Sequence, residues 1–232
     1  MSFFMTRGEP TVKPQARLYV GLDPASRVDY AGIVVNEPEG AGREMRHAVR
    51  HIERTRGLSY PLLAEKLRIL IERLNGSVTV AVDSTGLGGP MMDYLRDAGL
   101  KARLVPITFT AGHETRHEGG AYFVPKRELI SNLGLLLETS RLRLSKTMKH
   151  ASVLQRELES FTQTLSASGR DSYSAPTGQH DDLLSALALS VWLAQREGSK
   201  GGWLWGSARH GPDGSADEDE PLSRYEDLRR SY

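Results

Sequence analysis

At 232 residues the chain is long enough to bury one sizeable core, and its patterning from about residue 17 to 196 predicts a single domain with two tails. It holds no cysteine, which excludes disulfides, thiolate zinc sites and cysteine nucleophiles and fits an intracellular protein; no apolar run approaches the roughly 20 residues of a membrane helix, so no membrane partner is expected. The net charge of +1 hides an asymmetry: seven of the 29 acidic residues but only three of the 30 basic ones fall in 213–232, leaving a body with 27 basic against 22 acidic residues, a balance that suits a polyanionic partner.

Residues 1–16 carry Gly8, Pro10 and Pro14 without periodicity and read as an arm or linker. The run Arg17-Leu18-Tyr19-Val20-Gly21-Leu22-Asp23 then predicts a strand that enters a sheet interior and ends on a carboxylate followed by Pro24. A second strand is expected over 30–35 and a third, more exposed one over 44–54, with Gly40 and Gly42 turning the chain between them. Ser59, Pro61 and the helical spacing of Leu62, Leu63, Leu67, Leu70, Ile71 and Leu74 predict a helix up to Asn75-Gly76. Val78-Thr79-Val80-Ala81-Val82 is the apolar run of a buried parallel strand, and it too ends on an aspartate, Asp83.

A glycine-rich loop, 84–90, leads to a helix at 91–98 stopped by Gly99, and 101–106 reads as a fifth strand. Residues 108–120 are polar and glycine-rich, with His113, Arg116 and His117, and read as a mobile loop. Helices are expected over 126–140 and 150–161 with a short strand, 142–144, between them. The last strong element is a heavily apolar helix, 182–196, opening on Asp181-Asp182. From 197 to 232 glycine, serine and acidic residues predict a flexible acidic tail.

In open α/β sheets sites lie outside the carboxyl ends of strands, where both Asp23 and Asp83 are expected. The Asp181-Asp182 pair would add a third carboxylate from a helix start. Taken singly, an aspartate at a strand end is a turn residue and one at a helix start is a cap. Converging, such groups repel one another unless cations neutralise them, which predicts Mg²⁺ or Mn²⁺. Two ions about 3.5–4 Å apart would support phosphodiester hydrolysis.

The stretches Val20-Gly21-Leu22-Asp23-Pro24-Ala25 with Asp29-Tyr30, Val82-Asp83-Ser84-Thr85-Gly86-Leu87-Gly88, Val124-Pro125-Lys126, and Gly178-Gln179-His180-Asp181-Asp182-Leu183 with Ala186-Leu187-Ala188 resemble the C-terminal nuclease domain of bacteriophage terminase large subunits, over about residues 17–196. That resemblance implies an α/β, RNase H-like fold, a mixed central sheet with helices on both faces. It also implies metal-dependent cutting of concatemeric double-stranded viral DNA during packaging in the host cytoplasm, beside an ATPase domain or subunit, a small terminase and a portal. Its first acid falls on Asp23, its second on Asp83 and its third on the Asp181-Asp182 pair. Many relatives have an acid where Ser185 stands. Helical projection puts Asp181 towards the Leu184, Leu187, Ala188 and Val191 face and Asp182 beside Ser185, so Asp182 is preferred as ligand with Asp181 second.

Lys126, Arg127, Arg116 and His180 are candidate DNA contacts, with Arg103 and Lys146 weaker ones; His113 and His117 have the i, i+4 spacing of a metal pair but no helical context. The chain has no G-x-x-x-x-G-K-[ST], since Gly86–Gly89 lacks the lysine and hydroxyl, so an ATPase is expected elsewhere and this chain reads as an excised domain or a separate subunit. Rival readings are a junction-resolvase or transposase-like nuclease on the same fold, a non-catalytic module that holds DNA or docks on the motor, and half of an actin-like ATPase.

Overall fold

The computed structural model of the chain describes residues 5–6, 16–24, 29–86, 88–168 and 181–206. Its strands are β1 (Met5–Thr6), β2 (Ala16–Asp23), β3 (Tyr30–Glu39), β4 (Arg46–Arg56), β5 (Gly76–Asp83), β6 (Arg103–Thr110), β7 (Arg116–Glu118), β8 (Ala121–Pro125) and β9 (Leu142–Ser145). Its helices are α1 (Tyr60–Glu72), α2 (Gly88–Asp97), α3 (Lys126–Glu138), α4 (Ala151–Ser168) and α5 (Asp182–Gly206). All the strands join one sheet in the order β1-β9-β4-β3-β2-β5-β6-β8-β7. Strands β2, β3 and β4 form an antiparallel meander, whereas β5, β6 and β8 continue from β2 as parallel neighbours.

The period-2 alternation of the strands divides the core in two. Leu18, Val20 and Leu22 of β2, Ile33 and Val35 of β3, and Val78, Val80 and Val82 of β5 pack with α1 and α2 on one face. Tyr19, Val34 and Ala81 face the other way, into a second cluster built with α3, α4 and α5. Gly21, Asp23, Gly32 and Asp83 share the parity of this second set, so both strand-end aspartates point to the α5 side. Helix α5 is buried all round from Asp182 to Ala194, and each leucine of that stretch contributes about 1.5–3 kcal/mol through burial.

Two glycines determine how closely α5 sits on the sheet. A Cβ on Gly21 would lie 1.7 Å from the Ala186 carbonyl oxygen, and one on Gly32 would lie 2.3 Å from that of Asp182. Only hydrogen at these positions lets the helix backbone rest directly on β2 and β3. Further along, Asn36 Nδ2 donates to the Ser190 carbonyl at 3.5 Å, so α5 starts over the carboxyl end of β2 and runs back across the sheet.

Several boundaries differ from the sequence-based expectation. Strand β4 runs two residues beyond 54, and β6 starts at Arg103 and continues to Thr110 because β8 pairs with its second half. Residues 108–120, expected as a loop, hold the end of β6 and the hairpin strand β7; the turn Gly119-Gly120 has φ of 57° and 80°, the signature of a two-residue type I′ hairpin. Strand β7 is exposed throughout, so no apolar alternation marked it. Ser59 occupies the N-cap position of α1, but its side chain makes no capping bond.

The tails depart as well. Met5–Thr6, within the expected arm, pairs with Leu144 and Ser145 of β9. Helix α5 does not stop at 196 but reaches Gly206, held past its expected end by Glu197, which accepts from Tyr19 Oη at 3.0 Å and pairs with Arg103. The rest of the tail, 207–232, lies outside the described residues.

Candidate active site

Strands β2 and β5 pair in parallel up to Leu22 and Val82, so the next residues, Asp23 and Asp83, end the two strands at one level. Adjacent strands lie about 4.8 Å apart, which puts the two carboxylates within direct electrostatic range. Asp23 is also opposite Gly32 on β3, and Gly32 is opposite Arg54 on β4. The row Asp23-Gly32-Arg54 runs across three strands, with the backbone of Asp182 resting on its glycine.

Burial raises the carboxyl of Asp23 well above the usual range, and the charges of Asp83, Asp181 and Asp182 raise it further, while Lys126 works against them. Asp83 is raised as well, chiefly by burial; the Thr85 N–H, which donates to Oδ1 at 2.8 Å, and Lys126 oppose the shift. Its loop is anchored to β6: Ser84 N–H donates to Ile107 O at 2.9 Å, Phe109 N–H donates to Thr85 Oγ1 at 2.8 Å, and the Ser84 and Thr108 hydroxyls lie 3.0 Å apart. Asp83 is therefore carried on a fastened loop.

The two acids at the head of α5 are held by different cations. Asp181 precedes the first helical residue, its carbonyl accepts from Ser185 N–H at 2.8 Å, and its Oδ2 accepts from Lys126 Nζ at 3.0 Å. Asp182 is only 6% exposed, and both its oxygens are taken by Arg54, Nε to Oδ2 at 2.7 Å and Nη2 to Oδ1 at 2.9 Å. The Arg54 guanidinium also lies 3.8 Å from the centre of the Tyr30 ring. Glu157 of α4 stands behind this pair, 3.9 Å from Arg54 and accepting from Leu184 N–H at 2.9 Å; burial is the main cause pushing its carboxyl up to about 7.

Asp23, Asp83, Asp181 and Lys126 thus share one field at the carboxyl ends of the parallel strands, while Asp182 borders it in a closed ion pair. Helical projection preferred Asp182 as ligand with Asp181 second; in the structure Asp181 is the residue before the helix, facing Lys126, and Asp182 faces Arg54. Arg127 reaches the His113 carbonyl at 3.4 Å, and Arg116 is exposed on β7, 3.5 Å from Glu118. Arg103 is engaged by Glu197 on α5, and Lys146 is exposed. His117 stacks on Tyr122 at 4.3 Å, its partner across the β7–β8 hairpin. His180 lies outside the described residues.

Arg54 and Glu157 went unnoticed in the sequence, and Tyr30 stood out only as part of the Asp29-Tyr30 stretch, with no role assigned. An arginine near the end of an alternating strand looks like any solvated one until a helix start arrives above it. Among the described residues no three acidic or imidazole side chains already form a ready-made metal cage. The donor set nevertheless fits a hard divalent cation: three carboxylates from separate elements, mutually repelling and partly offset by an ammonium.

A mixed sheet with helices on both faces and acids at the ends of neighbouring strands defines an RNase H-like α/β domain. The terminase RNaseH-like domain model matches residues 20–192, and the chain belongs to that family. It is 25% identical over 215 residues to the terminase large subunits of Thermus phage G20c and Thermus virus P23-45, an alignment covering 93% of this chain but only 39% of either relative. Among solved structures it resembles the large terminase nuclease of phage G20c with bound zinc, at a TM-score of 0.51 and 22% identity over 81% of this chain and 90% of that one. The large terminase nuclease domain of bacteriophage SPP1 with bound Mn gives 0.50 and 14% over 77% and 86%, and that of P22 gives 0.50 and 15% over 82% and 87%.

Proposed function

We propose that this chain is the metal-dependent endonuclease part of a phage DNA-packaging terminase, hydrolysing phosphodiester bonds of double-stranded DNA. The observation that carries the reading is the meeting of Asp23, Asp83 and Asp181, brought together by strand register and by the head of α5. Family membership supports it independently. Asp23, Asp83 and Asp181 would hold Mg²⁺ or Mn²⁺, with Asp182 kept back by Arg54. Bound there, a pair of such ions would supply an activated water and charge stabilisation for the leaving oxygen.

The chain's own residues supply the rest. Burial on the α5 side lowers the local dielectric and strengthens each carboxylate's pull on a cation. The anchored loop of Asp83 and the glycine-seated head of α5 hold the donors in place, which is the preorganisation that such a centre needs. Arg127, beside the His113 carbonyl, and the exposed Arg116 of β7 would meet DNA phosphates in this reading. The ATPase that drives packaging, the small terminase, the portal and a place in the host cytoplasm are the partners and setting that this reading implies.

Incubation of the purified protein with plasmid DNA, with Mn²⁺ or Mg²⁺ and with EDTA, tests the proposal. Cleavage that requires the ion and disappears in Asp23→Asn is the expected result. A folded wild type that binds DNA but leaves it intact in every metal would instead establish a holding module.

A further inference from the structure

Among the described residues two cations pair with the acids at the head of α5, and they are held in different ways. Arg54 is clamped, with both Asp182 oxygens engaged, the Tyr30 ring against it and a side chain only 15% exposed. Lys126 is held to Asp181 by one charge-assisted hydrogen bond, with both side chains one-third exposed. Its backbone is fixed, since it follows the last residue of β8, and the next turn of α3 buries Leu129 and Ile130. Its ammonium is a compact charge on a flexible stem, able to leave Asp181 without moving the helix.

Lys126 also stands at the same end of the sheet as the strand-end acids: β2, β5, β6 and β8 run parallel, Asp23 and Asp83 end the first two, and Lys126 follows Pro125, the last residue of β8. Three carboxylates around one point repel unless something offsets them. In the metal-free protein Lys126 offsets that repulsion from its place on Asp181, because the charge of Arg54 is spent on Asp182.

We propose that Lys126 is the resident counter-cation of this centre: it holds the acids together in the metal-free protein and gives way when a divalent ion binds. This rests on the metal-centre reading above and adds to it that occupancy is an exchange of one cation for another. By linkage, a group that stabilises the metal-free state but not the loaded one weakens metal binding to the same degree. Lys126→Met should therefore melt at a lower temperature in EDTA yet bind Mn²⁺ about tenfold more tightly, the scale of removing one nearby like charge. Lys126→Arg, which keeps the charge and can grip Asp181 with two bonds, should keep the metal-free stability and bind Mn²⁺ more weakly.

The test is calorimetric titration of the whole chain with Mn²⁺, together with thermal melts in EDTA and at saturating Mn²⁺, for wild type, both Lys126 variants and Asp83→Asn. The expected result is tighter Mn²⁺ binding in Lys126→Met and melting temperatures that converge with wild type once Mn²⁺ is bound. Unchanged or weaker binding in Lys126→Met, or a melting offset that persists at saturation, overturns the exchange and makes Lys126 a fixed structural partner. If Lys126→Met does not fold, the exchange stands or falls on Lys126→Arg, with Mn²⁺ binding as tight as wild type overturning it. A wild type that takes up no more Mn²⁺ than Asp83→Asn brings down the metal centre itself, and the exchange with it.

Discussion

A side chain on Gly21 would collide with the carbonyl oxygen of Ala186, its Cβ only 1.7 Å away. Neither partner can yield cheaply, since one is a buried central strand and the other the backbone of a helix buried all round. Gly21→Ala should push α5 off the sheet and destabilise the protein by about 3 kcal/mol, seen as a lower urea midpoint. Gly32→Ala meets Asp182 backbone at 2.3 Å and should cost nuclease activity beyond its cost in stability, because it displaces the head of α5.

Arg54 and Asp182 form a largely buried ion pair, so removing one partner should hurt more than removing both. Arg54→Met alone is expected to cost about 3–5 kcal/mol by leaving a buried charge unpaired, while Arg54→Met with Asp182→Leu recovers most of the loss. Equilibrium denaturation of the two single variants and the double one measures the coupling. Additive losses would mean that the pair is not coupled as its geometry indicates.

Among the four acids, Asp23→Asn, Asp83→Asn and Asp181→Asn should each reduce DNA cleavage by at least about a hundredfold with the fold intact. Asp182→Asn should cost mainly stability, with a smaller effect on rate. Cleavage assays beside circular dichroism separate the outcomes, and a dead Asp182→Asn with an active Asp181→Asn would reverse the assignment.

The pH dependence of the metal-free protein has two limbs. Glu157 is raised from 4.5 to about 7, so it binds its proton more tightly folded than unfolded; its contribution is fullest below about 4.5 and is lost as pH rises through 7. His47, fully buried against Asn36, is lowered from 6.5 to about 4, so folding is favoured above 6.5 and that advantage is lost as pH falls towards 4. Denaturation in EDTA across pH 4 to 8 should show stability falling on the alkaline side, and Glu157→Gln should flatten that limb.

Much of the scaffold was legible in the chain. The runs ending in Asp23 and Asp83, the helix patterns of α1 and α3 and the apolar stretch of α5 depend on local periodicity, and a central parallel strand cannot hide its apolar content. The hairpin β7–β8 was missed because its exposed strand carries no such period, although Gly119-Gly120 held the turn signal. The reach of α5 to Gly206 was missed because Tyr19 and Arg103, far off in sequence, hold Glu197 in place.

Residue order alone determined that aspartates would stand at the ends of two sheet strands and at the start of a buried helix, since strand and helix periods are properties of neighbouring residues. Only the tertiary structure decided how those acids divide, Asp181 facing Lys126 and Asp182 closed by Arg54. That division depends on register between strands and on two glycines that let a helix backbone touch the sheet. Such contacts join residues from about 55 to more than 150 positions apart, and no local pattern encodes them.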